Sequence, residues 1–161
     1  MKNKIAILLF LFIGINCTAQ WKPQGDKIKT KWAEQVDPKN TLPEYPRPIM
    51  ERNQWQNLNG LWNYAIQPAG QTAPKGYDGK ILVPFAVESS LSGVMKMVGS
   101  ENELWYETNF AVDNSWKNKE IILHFGAVDW KTEVYINDIK IGTHTGGYVP
   151  FSFNITPYLK G

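Results

Sequence analysis

Carboxylates are the residue type in this 161-residue chain best supplied for acid–base chemistry, and Glu88, Glu101, Glu103, Glu107, Asp113, Glu120, Asp129 and Glu133 all fall in its second half. Glycoside hydrolysis asks for two of them held about 5–10 Å apart across the scissile bond, one protonated and one ionised. Most of the eight sit at outward strand positions or in turns, where a solvated charge is the ordinary state. Glu88 and Asp129 differ, because each lies in apolar or aromatic sequence: Val83-Pro84-Phe85-Ala86-Val87-Glu88-Ser89 and Gly126-Ala127-Val128-Asp129-Trp130. Seven each of Trp, Tyr and Phe can fill a core or supply flat faces for stacking on a ligand, and composition alone does not choose between the two.

Other chemistries lack their residues. Ser89-Ser90 and Ser92-Gly93 carry no G-x-S-x-G elbow, so a serine nucleophile has no setting. The histidines are His124 and His144 and the cysteine is Cys17, too few and wrongly spaced for a His/Cys metal site. His124, between Leu123 and Phe125, reads as an outward strand residue. The glycines from Gly142 to Gly147 precede no Gly-Lys-Ser/Thr ending and no helix, so they read as a turn rather than a phosphate cradle. Asn154-Ile155-Thr156 matches a glycosylation sequon followed by Pro157 and reads as idle. No metal and no cofactor is expected in this chain.

The elements that must position these residues are strands. Trp62, Tyr64 and Ile66 alternate with polar or small neighbours and share one strand face. Pro68 to Gly79 reads as a loop and Ile81-Leu82-Val83 as a short strand ended by Pro84. Leu104, Tyr106, Thr108, Phe110 and Val112 mark a longer strand, and Ile121, Leu123 and Phe125 another. Lys131–Ile136 and Ile139–Thr143 flank Asn137-Asp138, residues that tolerate the positive φ of a two-residue hairpin turn. Phe151 and Phe153 alternate again, and Thr156-Pro157 reads as the N-cap and first position of a helical turn carrying Tyr158 and Leu159. No helical periodicity outlasts a turn or two, so βαβ folds are excluded and an antiparallel β-sandwich is predicted.

Upstream, Pro38, Pro43, Pro46 and Pro48 break regular structure between Trp21 and Arg52. This stretch reads as an extended arm, with one helical turn predicted over Trp32–Val36. It is either a solvated linker or a strap whose Trp21, Trp32 and Tyr45 pack on a domain. Ahead of it, Lys2 and Lys4 precede an apolar run from Ile5 to Ile15, and Cys17-Thr18-Ala19 supplies small residues for a signal peptidase. Cleavage after Ala19 is expected, giving an exported periplasmic or extracellular protein; lipid anchoring through Cys17 is disfavoured by Asn16 before it. The run is shorter than the roughly 20 apolar residues a membrane helix needs, so no membrane span is expected.

The expected boundaries are 1–19 signal peptide, 20–52 Pro-rich arm and 53–161 β-sandwich, which is room for one ordinary domain. The 17 basic and 15 acidic residues become 15 and 15 once Lys2 and Lys4 are removed. A balanced chain without a basic, aromatic-interleaved run excludes a nucleic-acid partner. Loss of Cys17 leaves no disulfide, so stability must come from packing.

Trp55-Gln56-Asn57-Leu58-Asn59-Gly60-Leu61-Trp62, Val83-Pro84-Phe85 with Glu88-Ser89, and Leu104-Trp105-Tyr106 together resemble the amino-terminal sugar-binding domain of glycoside hydrolase family 2. So do His124-Phe125-Gly126-Ala127-Val128-Asp129-Trp130, Val134-Tyr135-Ile136-Asn137, Gly142-Thr143-His144, Gly146-Gly147-Tyr148-Val149-Pro150-Phe151 and Asn154-Ile155-Thr156-Pro157-Tyr158-Leu159. The resemblance runs from Met50 to the end. It implies a galactose-binding-like jelly-roll sandwich, followed in the parent enzyme by an immunoglobulin-like domain and a TIM barrel that holds both catalytic glutamates. The barrel is not in this sequence, which reads as ending inside its first domain.

The resemblance implies the amino-terminal, non-catalytic part of an exported β-galactosidase-, β-glucuronidase- or β-mannosidase-like enzyme, with an oligosaccharide or glycoside as partner. In galactosidase members the loop after Val-Pro places an asparagine near the sugar. Ala86 stands there, so that contact is absent or taken over by Glu88. Substrate-binding candidates are Glu88, Asp129, Trp130 and Tyr148. A free-standing carbohydrate-binding module, gripping glycans through Trp130, Tyr148 or the Trp116 loop, and a structural sandwich without a ligand are the alternatives.

Overall fold

The computed structural model describes residues 21–25 and 29–160. The signal-peptide features at Lys2, Lys4, Cys17 and Ala19 lie outside the described residues. The described residues are all-β, their strands paired antiparallel throughout, and they divide into two compact units: the segment up to Glu51 with Gln56–Asn109, and Arg52–Trp55 with the segment from Phe110 on.

The first unit holds β1 (Gly60–Pro68), β2 (Gly79–Val83) and β3 (Asn102–Glu107) in the order β2-β1-β3. Trp62, Tyr64 and Ile66 face one side, as their alternation predicts, and meet Ile81, Val87, Val94, Val98 and Leu104 in one apolar cluster. Each such side chain taken from water contributes about 2 kcal/mol. The strand begun at Leu104 is shorter than predicted. Its pairing with β1 ends at Asn63↔Glu107, where the Glu107 carboxylate accepts from the Asn63 and Asn109 side-chain amides. Beyond it, Asp113 Oδ1 accepts from Ser115 N at 2.8 Å and opens a 3₁₀ turn at Asn114–Trp116.

The arm is a strap, not a solvated linker. Gln24 N donates to Ser90 O at 3.0 Å, and the Trp21 indole lies where a Cβ on Gly93 would stand, 2.6 Å away. Further along, Thr41 is buried, and Asn57 Nδ2 donates to the Thr41 and Leu42 carbonyls at 3.2 and 3.0 Å. The helical turn forms as 3₁₀ at Lys31–Gln35 with Ala33 buried, but Trp32 stays 59 % exposed with Lys31 Nζ over its ring.

In the second unit β4 (Ile122–Phe125) pairs with β7 (Phe151–Asn154), and β5 (Lys131–Ile136) with β6 (Ile139–Thr145). Asn137 and Asp138 adopt φ of +50° and +68°, the two-residue turn their types predict. His124 is exposed on β4, as expected. Two expectations are corrected here. Gly142 to Thr145 continue β6 and are not turn: at Gly142 the missing side chain makes room for the Phe153 ring, which any Cβ would strike. Thr156 does not cap the last turn, a 3₁₀ at Thr156–Tyr158; its Oγ1 accepts from Ile121 N at 2.8 Å, while Asn154 Oδ1 accepts from Thr156 N at 3.0 Å. Phe125, Phe151 and His144 stack in series, at 4.8 and 4.1 Å between ring centres, with Phe153 edge-on to Phe151.

Candidate functional site

Glu88 is placed by its neighbours rather than by itself. Val87 is buried in the first unit's core, and its carbonyl accepts from Lys96 N at 3.2 Å and from Ser92 Oγ at 3.1 Å. Ser92 is wholly buried and its hydroxyl also accepts from Val94 N and Met95 N, so one serine satisfies the backbone of the turn. Ser89 Oγ accepts from Ser92 N and opens the 3₁₀ turn at Ser90–Ser92, closed by Gly93 at φ +80°. With Val87 pinned inward, Ala86 and Glu88 on either side are exposed. The Glu88 charge is felt by Tyr106 on β3, whose hydroxyl is pushed up to about 12 by burial first and by that carboxylate second. Neither Tyr106 nor Ser92 stands out as a site residue by type. The only signal was the Ser-x-x-Ser-Gly capping pattern at Ser89–Gly93.

In the second unit the structure brings Asp129, Trp130 and Tyr148 to the open end of the β5–β6 hairpin. The register Lys131↔Thr145 sets the 126–130 loop, which enters β5, against the 146–150 loop, which leaves β6. Gly146, at φ +125°, donates its N–H to Trp130 O at 2.7 Å and carries the pairing one step past the strands. The Asp129 side chain lies on the Gly147 backbone, with Oδ1 2.6 Å and Cγ 3.1 Å from where a Cβ would stand. The Asp129–Trp130 peptide is cis.

Trp130 is 63 % and Tyr148 98 % exposed, so the core-packing use of these rings does not apply in this chain. The arrangement offers two flat apolar faces on paired loops, a set that can stack on a pyranose ring. Glu88 belongs to the first unit and is not part of this loop pair. Trp116 is half-buried in its 3₁₀ turn. Among the described residues no group of three or more His, Cys, Asp or Glu could hold a metal ion, and no helix is long and apolar enough to cross a membrane.

Comparison with known proteins bears on both loops of the second unit and on the turn carrying Ser92. Residues 92–161 match the family described as glycosyl hydrolases family 2, sugar binding domain. The match starts at residue 92, downstream of the Trp55–Trp62 and Val83–Ser89 motifs. A β-glucuronidase of Bacteroides fragilis is 40 % identical over 106 residues, 64 % of this chain and 14 % of that protein. A β-galactosidase of Thermoanaerobacter pseudethanolicus is 45 % identical over 56 residues, 35 % of this chain and 8 % of that protein. The crystal structure of Ruminococcus gnavus β-glucuronidase superposes with a TM-score of 0.53 at 28 % identity, covering 73 % of this chain and 21 % of that one. The chain therefore spans a small fraction of the length of the relatives it matches.

Proposed function

We propose that this chain, whose residues 92–161 match the sugar binding domain of glycosyl hydrolases family 2, is the amino-terminal, non-catalytic part of an exported β-glycosidase. The matched stretch carries this reading, because it contains the paired loops with the exposed Trp130 and Tyr148. The domain folds as a jelly-roll sandwich and includes the strapped arm, in keeping with the likeness to Ruminococcus gnavus β-glucuronidase.

The parent enzyme cleaves a β-glycoside with retention, using two carboxylates of a barrel that follows. One protonates the leaving oxygen and the other attacks the anomeric carbon; water then releases the sugar from the enzyme. This domain supports that barrel, and the paired loops that carry Trp130 and Tyr148 rim the sugar site. Relatives are named both β-glucuronidase and β-galactosidase; Ala86, at the position where galactosidases carry asparagine, favours the first.

The reading frame containing this chain is to be expressed whole, with its leader, and the exported protein weighed and assayed on 4-nitrophenyl β-D-glucuronide, β-D-galactopyranoside and β-D-mannopyranoside. The expected result is hydrolysis of one of them with retained anomeric configuration. An exported protein of this length alone, inert on all three, would sink the enzyme reading. The exposed rings would then favour a free-standing carbohydrate-binding module.

A further inference from the structure

Asp129 was singled out as a sugar contact, but its surroundings give its side chain a different task. Its side chain packs against Gly147: Oδ1 stands 2.6 Å, Cγ 3.1 Å and Cβ 3.4 Å from the place a Cβ on Gly147 would occupy. The side chain thus lies beside the facing loop, in space that only a glycine leaves open. Next to this packing contact, the Gly146 N–H bonds to the Trp130 carbonyl at 2.7 Å. These two contacts flank the residues that carry the exposed rings, Trp130 directly after Asp129 and Tyr148 directly after Gly147. We propose that Asp129 is a positioning residue, a latch that closes the 126–130 loop on the 146–150 loop and so holds Trp130 and Tyr148 in place to stack on a pyranoside.

The latch rests on the reading above only for its ligand. An aromatic face tumbling on a free loop loses much of its stacking energy to ordering, so a pre-set ring binds better than a loose one. The latch acts through shape. An asparagine fills the same volume as the aspartate, whereas alanine at 129 empties it and alanine at 147 fills the space the aspartate needs. Gly147 is not held at positive φ, so Gly147→Ala tests the close approach without adding backbone strain.

The test compares Asp129→Asn, Asp129→Ala and Gly147→Ala in the full-length protein by two measurements. The first is the rate of tryptic cleavage after Lys131 under native conditions, which reads loop closure whatever the protein's activity. Cleavage is expected to quicken about fivefold or more in Asp129→Ala and Gly147→Ala and to stay within about twofold in Asp129→Asn. The second is KM and kcat on 4-nitrophenyl β-D-glucuronide: KM rises about tenfold in the same two variants with kcat within about twofold, and Asp129→Asn follows the unsubstituted protein.

If Asp129→Asn is as damaging as Asp129→Ala while Gly147→Ala is silent, the carboxylate charge itself touches the sugar and the latch is overturned. If cleavage after Lys131 is unchanged in all three, the latch is overturned as well. An unsubstituted protein without glycosidase activity defeats the proposed function alone, since the proteolysis still reads the latch. Should Gly147→Ala not fold, the Asp129→Ala and Asp129→Asn pair decides by itself.

Discussion

Tyr106 is 37 % exposed as a residue, yet burial of its hydroxyl and, second, the charge of Glu88 push its pKa up to about 12. Both causes disfavour the phenolate. From pH 10 to about 12 the unfolded chain releases this proton and the folded chain keeps it, so the unfolded state binds fewer protons and stability falls as pH rises through that window. Below pH 10 the contribution is whole. Phenolate absorbance should therefore show a phenol titrating near pH 12, missing in Tyr106→Phe and moved toward pH 10 in Glu88→Gln. A late phenol that survives Tyr106→Phe would contradict the assignment. Glu133 shows the opposite sign on the surface: hydrogen bonds from Lys140 Nζ and Tyr135 OH, both 2.6 Å, hold its carboxyl below the usual range. That contribution is present above the usual carboxylate range and lost as pH falls through the lowered value. At this exposure such a pair is worth under about 1 kcal/mol.

At the scale of elements, the β5–β6 hairpin depends on two consecutive left-handed residues. Asp138 at φ +68° has no side-chain tie among the described hydrogen bonds, whereas Asn137 Nδ2 also donates to Tyr158 O at 2.6 Å. Asp138 already holds its Cβ in a conformation that costs about 1–2 kcal/mol, a strain that Asp138→Ala keeps and Asp138→Gly relieves. Urea denaturation is expected to show the glycine variant more stable by up to about that amount and the alanine variant close to the parent. Equal midpoints for both variants would mean that the turn relaxes to another type. The β6 strand has a different dependence, on absence of a side chain at Gly142. There the Phe153 ring fills the space, which is why a glycine-rich stretch that reads as a turn is strand as far as Thr145.

For the molecule as a whole, the Asn57 amide is one of the ties that turn the arm into part of the first unit. It donates to two arm carbonyls, and its Oδ1 accepts from Asn59 N at 2.8 Å. Asn57→Ala leaves those carbonyls without this donor at a cost of about 1–2 kcal/mol. Native trypsin is then expected to cut after Lys39 several-fold faster; an unchanged rate would return the arm to a linker. Local periodicity was enough to foresee the all-β class, the shared face of Trp62, Tyr64 and Ile66, and the Asn137-Asp138 turn, because alternation and φ preference act between residues close in the chain. The same evidence overran β3 by five residues' worth of alternation, to Val112, since a strand lasts only as long as its pairing, and that with β1 stops at Asn63↔Glu107 although β1 itself runs back to Gly60. Residue types alone singled out Asp129, Trp130 and Tyr148. That Asp129 spends its side chain on Gly147, that Ser92 organises the turn bearing Glu88, and that Trp21 fills the space above Gly93 were decided only by tertiary structure. Each is a contact between segments distant in the chain, made where one side lacks a Cβ or hides a hydroxyl, and neither condition leaves a periodic trace in the sequence.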